Sequence, residues 1–249
     1  MTRSVGIVSG KGGVAKTTTA INLAAAMAYF GRDVVLVDGN LSTPNVGLHL
    51  GVNSVPINLH DVLKGKNAIT EAVYMHPAGI KIIPAGLSLG DFSGVDPRKL
   101  GEALPALDGL TDLVIVDGAA GLGNECFSVI EAVDDILIVA HPELPALTDA
   151  LKTIKVAEKM GKNVKGVVLT RAGNNYDLSV KAVEDLLEKR VLAVIPDDRS
   201  MRESLIKKDA VVFTHPKSKG AVAYKKLAAD LIGANYHERR GFLGWLFNR

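Results

Sequence analysis

The sequence predicts an α/β fold: a doubly wound, mostly parallel sheet of about seven strands with helices on both faces. Three observations lead there. Short β-branched runs recur along the 249 residues, each bounded by Gly, Pro or Asp. Their interiors are apolar throughout (VVLV, VIV, GVVL) rather than alternating, as strands covered on both faces require. Stretches of helical spacing separate them, and strand alternating with helix winds a parallel sheet.

In chain order the strands fall at Ser4 to Ser9, Val34 to Asp38, Ile80 to Pro84, Leu113 to Asp117, Ile136 to Ala140, Val164 to Leu169 and Val191 to Ile195. Apolar residues at helical spacing mark the intervening segments, Ala20, Leu23, Ala24 and Met27 in the first and Leu151, Ile154 and Ala157 in a later one. A final helix over Gly220 to Ile232 stops at Gly233 and Asn235. No linker or repeat divides the body, so residues 1–233 are read as one domain. Residues 234–249 are read as a linker and a tail of different composition.

Hydrophobic residues make up 47% of the chain, which excludes disorder as its main state. With 29 Lys and Arg against 27 Asp and Glu, no global field draws it onto nucleic acid, and nucleic acid is not an expected partner. The lone Cys126 closes no intrachain disulfide and supplies no zinc or iron-sulfur ligand set by itself. No run of 18 apolar residues is present, and Lys11 interrupts the opening where a signal peptide would continue its apolar stretch. A reducing cytoplasm is the expected location.

The first strand runs into SGKGGVAKTTTAINLAAAM, a Gly-rich turn with Lys and Thr at the mouth of a helix. Such a turn gathers backbone N–H groups at one point, and the helix dipole adds partial positive charge, so phosphate is the fitting ligand. Lys16 would reach the β and γ phosphates, and the Thr17 hydroxyl would hold Mg²⁺. Gly10, Lys11, Gly12, Gly13, Val14, Ala15, Lys16, Thr17 and Thr18 form this loop. Ala15 stands where G-x-x-x-x-G-K-[ST] has its second Gly. If the backbone there has positive φ, its methyl costs on the order of 1 kcal/mol. A Gly-rich turn that binds nothing is the alternative. Asp38 and Asp117 each end an apolar strand, the edge where α/β sheets bind ligands. A buried carboxylate there needs a partner or a metal, although an Asp starting a turn before Gly39 or Gly118 is the simpler reading.

KGGVAKTT, with Lys11 just after Gly10, resembles the deviant Walker A loop of the MinD and ParA ATPases. The likeness runs along the chain: VVLVDGNLSTPNVGLHLG resembles that family's switch I, VIVDGAAGLGNE its Walker B strand and switch II, and HPELPALTDALKT the segment after the next strand. LTRAGNN and VIPDDRSMRES resemble the two loops enclosing adenine. Order and spacing are closer to MinD than to ParA.

The resemblance implies a P-loop NTPase fold, ATP and Mg²⁺ as cofactors, and a homodimer when ATP is bound, with Lys11 reaching the partner's phosphates. It places Mg²⁺ on Thr17 and, through water, on Asp117, with Asp38 supporting the metal and the lysine. Adenine recognition falls to Thr170, Arg171, Pro196 and Asp197. Asp149 corresponds to a position at the dimer face near the γ phosphate, against which stands a plain first-turn helix aspartate. Asn40 departs from the family, which usually carries Asp there to orient or activate the attacking water. An amide takes no proton, so hydrolysis is expected to be slow. Gly118, Ala119 and Ala120 replace the usual residues of switch II and suggest a more flexible loop.

Wound as a helix, the stretch from Glu238 places Phe242, Leu243, Trp245, Leu246 and Phe247 on an apolar face flanked by Arg239, Arg240 and Arg249. That is the profile of a helix lying in a bilayer interface, and a MinD-type targeting sequence looks like this; packing on protein is the alternative. The function implied is an ATPase switch that couples dimerisation to reversible residence on the cytoplasmic face of a membrane and recruits a regulatory or cargo protein. A slow or non-hydrolysing scaffold, and a ParA-like partitioning ATPase, stand beside it.

Overall fold

Strand Val34–Asp38 reads Val-Val-Leu-Val-Asp and buries all five side chains. Val35 and Val37 enter the core on one face of the sheet with Val116, Val129 and Leu147. Leu36 enters the other with Leu23, Ile115, Leu137 and Tyr224. Each fully buried aliphatic side chain contributes roughly 1.5–3 kcal/mol, so a strand apolar on both faces is stable only between two helical layers.

The computed structural model describes residues 2–52, 54–173 and 177–236. Its strands are β1 (Arg3–Ser9), β2 (Val34–Asp38), β3 (Tyr74–Met75), β4 (Lys81–Ile83), β5 (Leu113–Ala120), β6 (Asp135–Ala140), β7 (Asn163–Ala172) and β8 (Val191–Pro196). They form one sheet in the order β3-β4-β2-β5-β1-β6-β7-β8. Every pair is parallel except β3 with β4. The longer helices are α1 (Lys16–Tyr29), α2 (Asn124–Ala132), α3 (Leu144–Lys159), α4 (Val180–Leu187), α5 (Arg199–Ile206) and α6 (Lys219–Ile232). Shorter turns of helix include Val46–Leu50 and Leu59–Leu63.

The seven expected strands are present, and β3 is an eighth. Its two residues pair antiparallel with β4, Tyr74 opposite Ile82, and two residues are too few to show a period. β5 continues past Asp117, and Ala120 pairs with Ser9. Gly118 to Ala120 are therefore strand, held by β1, where the sequence suggested a more flexible loop. A Cβ on Gly118 would stand 3.1 Å from the Ile7 carbonyl oxygen, so glycine allows this close approach.

Ser218 caps α6 by accepting from the Ala221 N–H, and Gly233 ends it at φ 68°. The helix stop is where the sequence places it. The apolar tail residues Phe242, Leu243, Trp245, Leu246 and Phe247 lie outside the described residues. Among the described residues no helix is long and apolar enough to cross a membrane. β1 is central, with β5 on one side and β6 on the other. Its carboxyl end is thus a topological switch point, the place where open α/β sheets bind ligands.

Candidate nucleotide site

β1 delivers the chain to this switch point, and residues 10–15 turn it back into α1. The turn is tight where α3 passes beneath: a Cβ on Gly10 would overlap the Asp149 carbonyl, so no other residue fits. Ala15 adopts φ 61° and ψ 34° immediately before the helix. The left-handed conformation suspected from the sequence is present, with its methyl penalty. Both ends of this residue are fixed: Thr170 Oγ1 donates to the Val14 carbonyl at 2.8 Å, and the Thr19 N–H and Oγ1 each donate to the Ala15 carbonyl at 2.9 Å.

Lys16 and Thr17 turn under the loop onto one carboxylate. Lys16 Nζ stands 3.1 Å from Asp117 Oδ1, and Thr17 Oγ1 donates to Asp117 Oδ2 at 2.5 Å. All three residues are buried. Asp38 is the register partner of Asp117 on the neighbouring strand. Its Oδ2 accepts from the Asn45 and Val46 N–H groups at 3.0 and 2.9 Å, and its Oδ1 from the Asn40 N–H at 3.4 Å. Burial, and then the charge of Asp117, push the Asp38 carboxyl up to about 8 against the pull of these three bonds. Lys16 thus pairs with Asp117, while Asp38 keeps its proton and would ionise beside a cation. Mg²⁺ is commonly held by one or two carboxylates together with substrate phosphates.

Asn40 is buried in the loop after β2, with both ends of its amide engaged by Thr43. Nδ2 donates to the Thr43 carbonyl at 2.6 Å, and Oδ1 accepts from Thr43 Oγ1 at 3.0 Å. Ser42 binds Glu125 at the start of α2 through both its N–H and its hydroxyl, joining this loop to the helix that follows β5.

A cleft beside the loop gathers Ala15, Thr18, Thr170, Arg171, Pro196 and Asp197. The residues assigned to the base therefore stand together against the phosphate loop. The Thr170 hydroxyl also holds the loop, donating to the Val14 carbonyl. Arg171 has φ 51°, a second strained non-glycine on the same cleft. Lys11 is exposed on the outer side of the loop. Asp149 packs its backbone against Gly10 while its carboxylate binds Lys152 Nζ at 3.1 Å. The sequence reading missed Asn22, His49 and Tyr224, which complete the cleft. His49 is held below the usual imidazole range by burial. Tyr224 is fully buried, its hydroxyl 3.1 Å from Thr19 Oγ1. Asn22 lies in the stretch that begins with the Gly-rich turn and His49 in the one that resembles switch I, but no role is read for either, and Tyr224 comes from a helix that reads as ordinary core.

A Gly-rich loop between the central strand and a helix, with a buried lysine, threonine and aspartate beneath it, defines a P-loop nucleotide-binding protein. Residues 5–211 match the CobQ/CobB/MinD/ParA nucleotide binding domain, and the chain belongs to that family. An uncharacterized ATP-binding protein of Methanocaldococcus jannaschii is 39% identical over 237 residues, which are 95% of this chain and 90% of the relative. The crystal structure of the Pyrococcus furiosus cell division ATPase MinD matches with TM-score 0.90 and 38% identity, over 94% of this chain and 99% of that one. The septum site-determining protein MinD of Pyrococcus horikoshii, complexed with Mg-ADP, matches with TM-score 0.89 and 39% identity, over 93% and 96% of the two chains.

Two outcomes are expected. The Asp38 carboxyl keeps its proton to about 8 when folded but releases it near 3.8 when unfolded. Across that window the folded state binds more protons, so Asp38 makes stability fall as pH rises. Melting of the metal-free protein from pH 4 to 8 should show a steeper decline for the parent than for Asp38→Asn; equal slopes would mean that Asp38 is ionised at neutral pH. Ala15→Gly should raise stability by about 1 kcal/mol in urea unfolding, by removing a left-handed alanine.

Proposed function

We propose that the chain is a MinD-type ATPase switch that binds Mg-ATP at the loop of residues 10–18. In this reading ATP closes a homodimer, the paired tails grip a membrane from its cytoplasmic side, the dimer recruits a regulatory or cargo protein, and hydrolysis releases it. The observation that carries the nucleotide half is the docking of Lys16 and Thr17 on Asp117 beneath a loop that opens to solvent. A buried lysine set on a carboxylate at a helix mouth is a cation waiting for a second anion. Lys16 would move its charge toward the β and γ phosphates while the loop amides and the α1 dipole hold the rest. Thr17, Asp117 and Asp38 would hold Mg²⁺, whose chemistry is to neutralise charge on the phosphate oxygens. Lys11, exposed on the outer surface of the loop, is free to reach the phosphates of a partner subunit. Arg171, Pro196 and Asp197 would flank adenine.

The membrane half is supported by the tail sequence and by where its root lies. Tyr236 sets its ring edge-on to Phe30, 5.9 Å between centroids, beside the end of α1 and opposite the phosphate loop. One short amphipathic helix binds a bilayer weakly, whereas two joined in a dimer gain through effective concentration. Slow turnover is supported by Asn40, which can orient water but cannot accept its proton.

Titration calorimetry with Mg-ATP and Mg-ADP should give binding by the parent chain and none by Lys16→Ala. Absence of heat from the parent would end the nucleotide reading. Sedimentation with anionic liposomes should pellet the full chain with ATP more than with ADP, and should leave a chain stopped before Glu238 in the supernatant. Equal pelleting of the two chains would remove the tail from the mechanism.

Asn40→Asp should raise turnover by about tenfold or more in a phosphate-release assay, since general-base assistance is worth roughly 10²- to 10⁴-fold and an amide retains only its positioning part. Unchanged turnover would show that residue 40 does not limit hydrolysis.

A further inference from the structure

The Ala15 N–H is one of the loop amides that the proposed function aims at phosphate, and the peptide carrying it needs a fixed orientation. No peptide bond among the described residues is cis, so the Val14 carbonyl and the Ala15 N–H point in opposite directions from one planar unit. The carbonyl is directed down onto Thr170 Oγ1, 2.8 Å away in the buried floor of the site. The amide therefore faces the opposite way, into the concavity of the loop.

A threonine hydroxyl rotates, however, and the Ala140 carbonyl lies 3.3 Å from the same oxygen as a second acceptor. His141 constrains the choice. Its Nδ1 is 3.0 Å from the Thr170 carbonyl oxygen and 3.1 Å from Thr170 Oγ1. A carbonyl oxygen only accepts, so Nδ1 carries the proton and donates to both. With that donor seated on the β6 side of Oγ1, the hydroxyl proton is left for the nearer carbonyl, that of Val14.

We propose that His141 is a positioning residue for phosphate binding: by fixing the Thr170 hydroxyl it fixes the Val14–Ala15 peptide with its N–H aimed at the nucleotide. This rests on the nucleotide reading above and adds to it a residue that touches neither phosphate nor base. The Ala15 strain gives the device its purpose, because a left-handed alanine relaxes more readily than a glycine at that place if its preceding peptide is released.

Side-chain geometry supplies the test. The Nδ2 of an asparagine occupies about the position of histidine Nδ1, whereas a glutamine reaches toward the place of Nε2. His141→Asn should bind Mg-ADP within about twofold of the parent in calorimetry, while His141→Gln and His141→Ala weaken it by about five- to tenfold, the worth of one ordinary hydrogen bond. All three should melt within a few degrees of the parent without nucleotide. Thr170→Val, which keeps the shape and removes the hydroxyl, should weaken binding as much as His141→Ala, and the double variant should lose no more than either alone. Asparagine behaving like alanine, or additive losses in the double variant, would overturn the proposal. Unaltered affinity in His141→Ala on a parent that binds would overturn this inference alone, whereas a parent that binds no nucleotide overturns the proposed function as well.

Discussion

Two carboxylates brought side by side by strand register, one of them paired with a lysine, are the constraint around which the site is built. Asp38 and Asp117 face each other because β2 and β5 pair in parallel register, and both strands are buried on both faces. Water cannot screen them there, and a buried charge without compensation is costly. Asp117 receives Lys16 and Thr17; Asp38 receives three backbone N–H groups and still has its carboxyl pushed up to about 8. The sheet thereby places a protonated acid, one that a cation would ionise, beside the phosphate loop.

Backbone strain is concentrated beside the acids. Ala15 and Arg171 both hold left-handed conformations, each costing about 1–3 kcal/mol, and both line the one cleft. Ala15 is kept there from two sides, by Thr170 on the carbonyl before it and by Thr19 on its own. Thr19 in turn meets Tyr224 of α6, so the last helix of the domain buttresses the first turn of α1. A loop relaxed into ordinary conformations would not gather its amides at one point. The backbone energy stored there is offset by the packing of α1 and α6 against the sheet.

Much of this was legible in the sequence because it resides in short segments. The strands announce themselves through apolar runs, and the loop through Gly10, Lys16 and Thr17 in an uninterrupted stretch. Ala15 reveals its own strain by standing where glycine belongs. What escaped reading depends on register between distant segments. Nothing local says that Gly118 to Ala120 will pair with Ser9 and become strand, because β1 supplies the hydrogen bonds. Thr170 is assigned to the base from its loop, and only the approach of β7 to Val14 shows that its hydroxyl also holds the phosphate loop. His141 and Tyr224 likewise acquire their roles from neighbours 29 and 205 residues away. Periodicity reports which face is buried, but not which polar atom waits on the other side.

The loop that carries Asn40 ties the site to α2. Asn45 and Val46 place their N–H groups on Asp38, Asn40 folds its amide onto Thr43, and Ser42 binds Glu125 at the head of α2. One short segment is thus tied both to a buried acid of raised pKa and to the helix that follows β5. Ionisation of Asp38 strengthens the bonds it accepts from Asn45 and Val46, because hydrogen bonds to a charged acceptor are roughly twice as strong as those to a neutral one. A proton leaving this one buried carboxyl therefore changes how firmly the segment between β2 and α2, Asn40 included, is held.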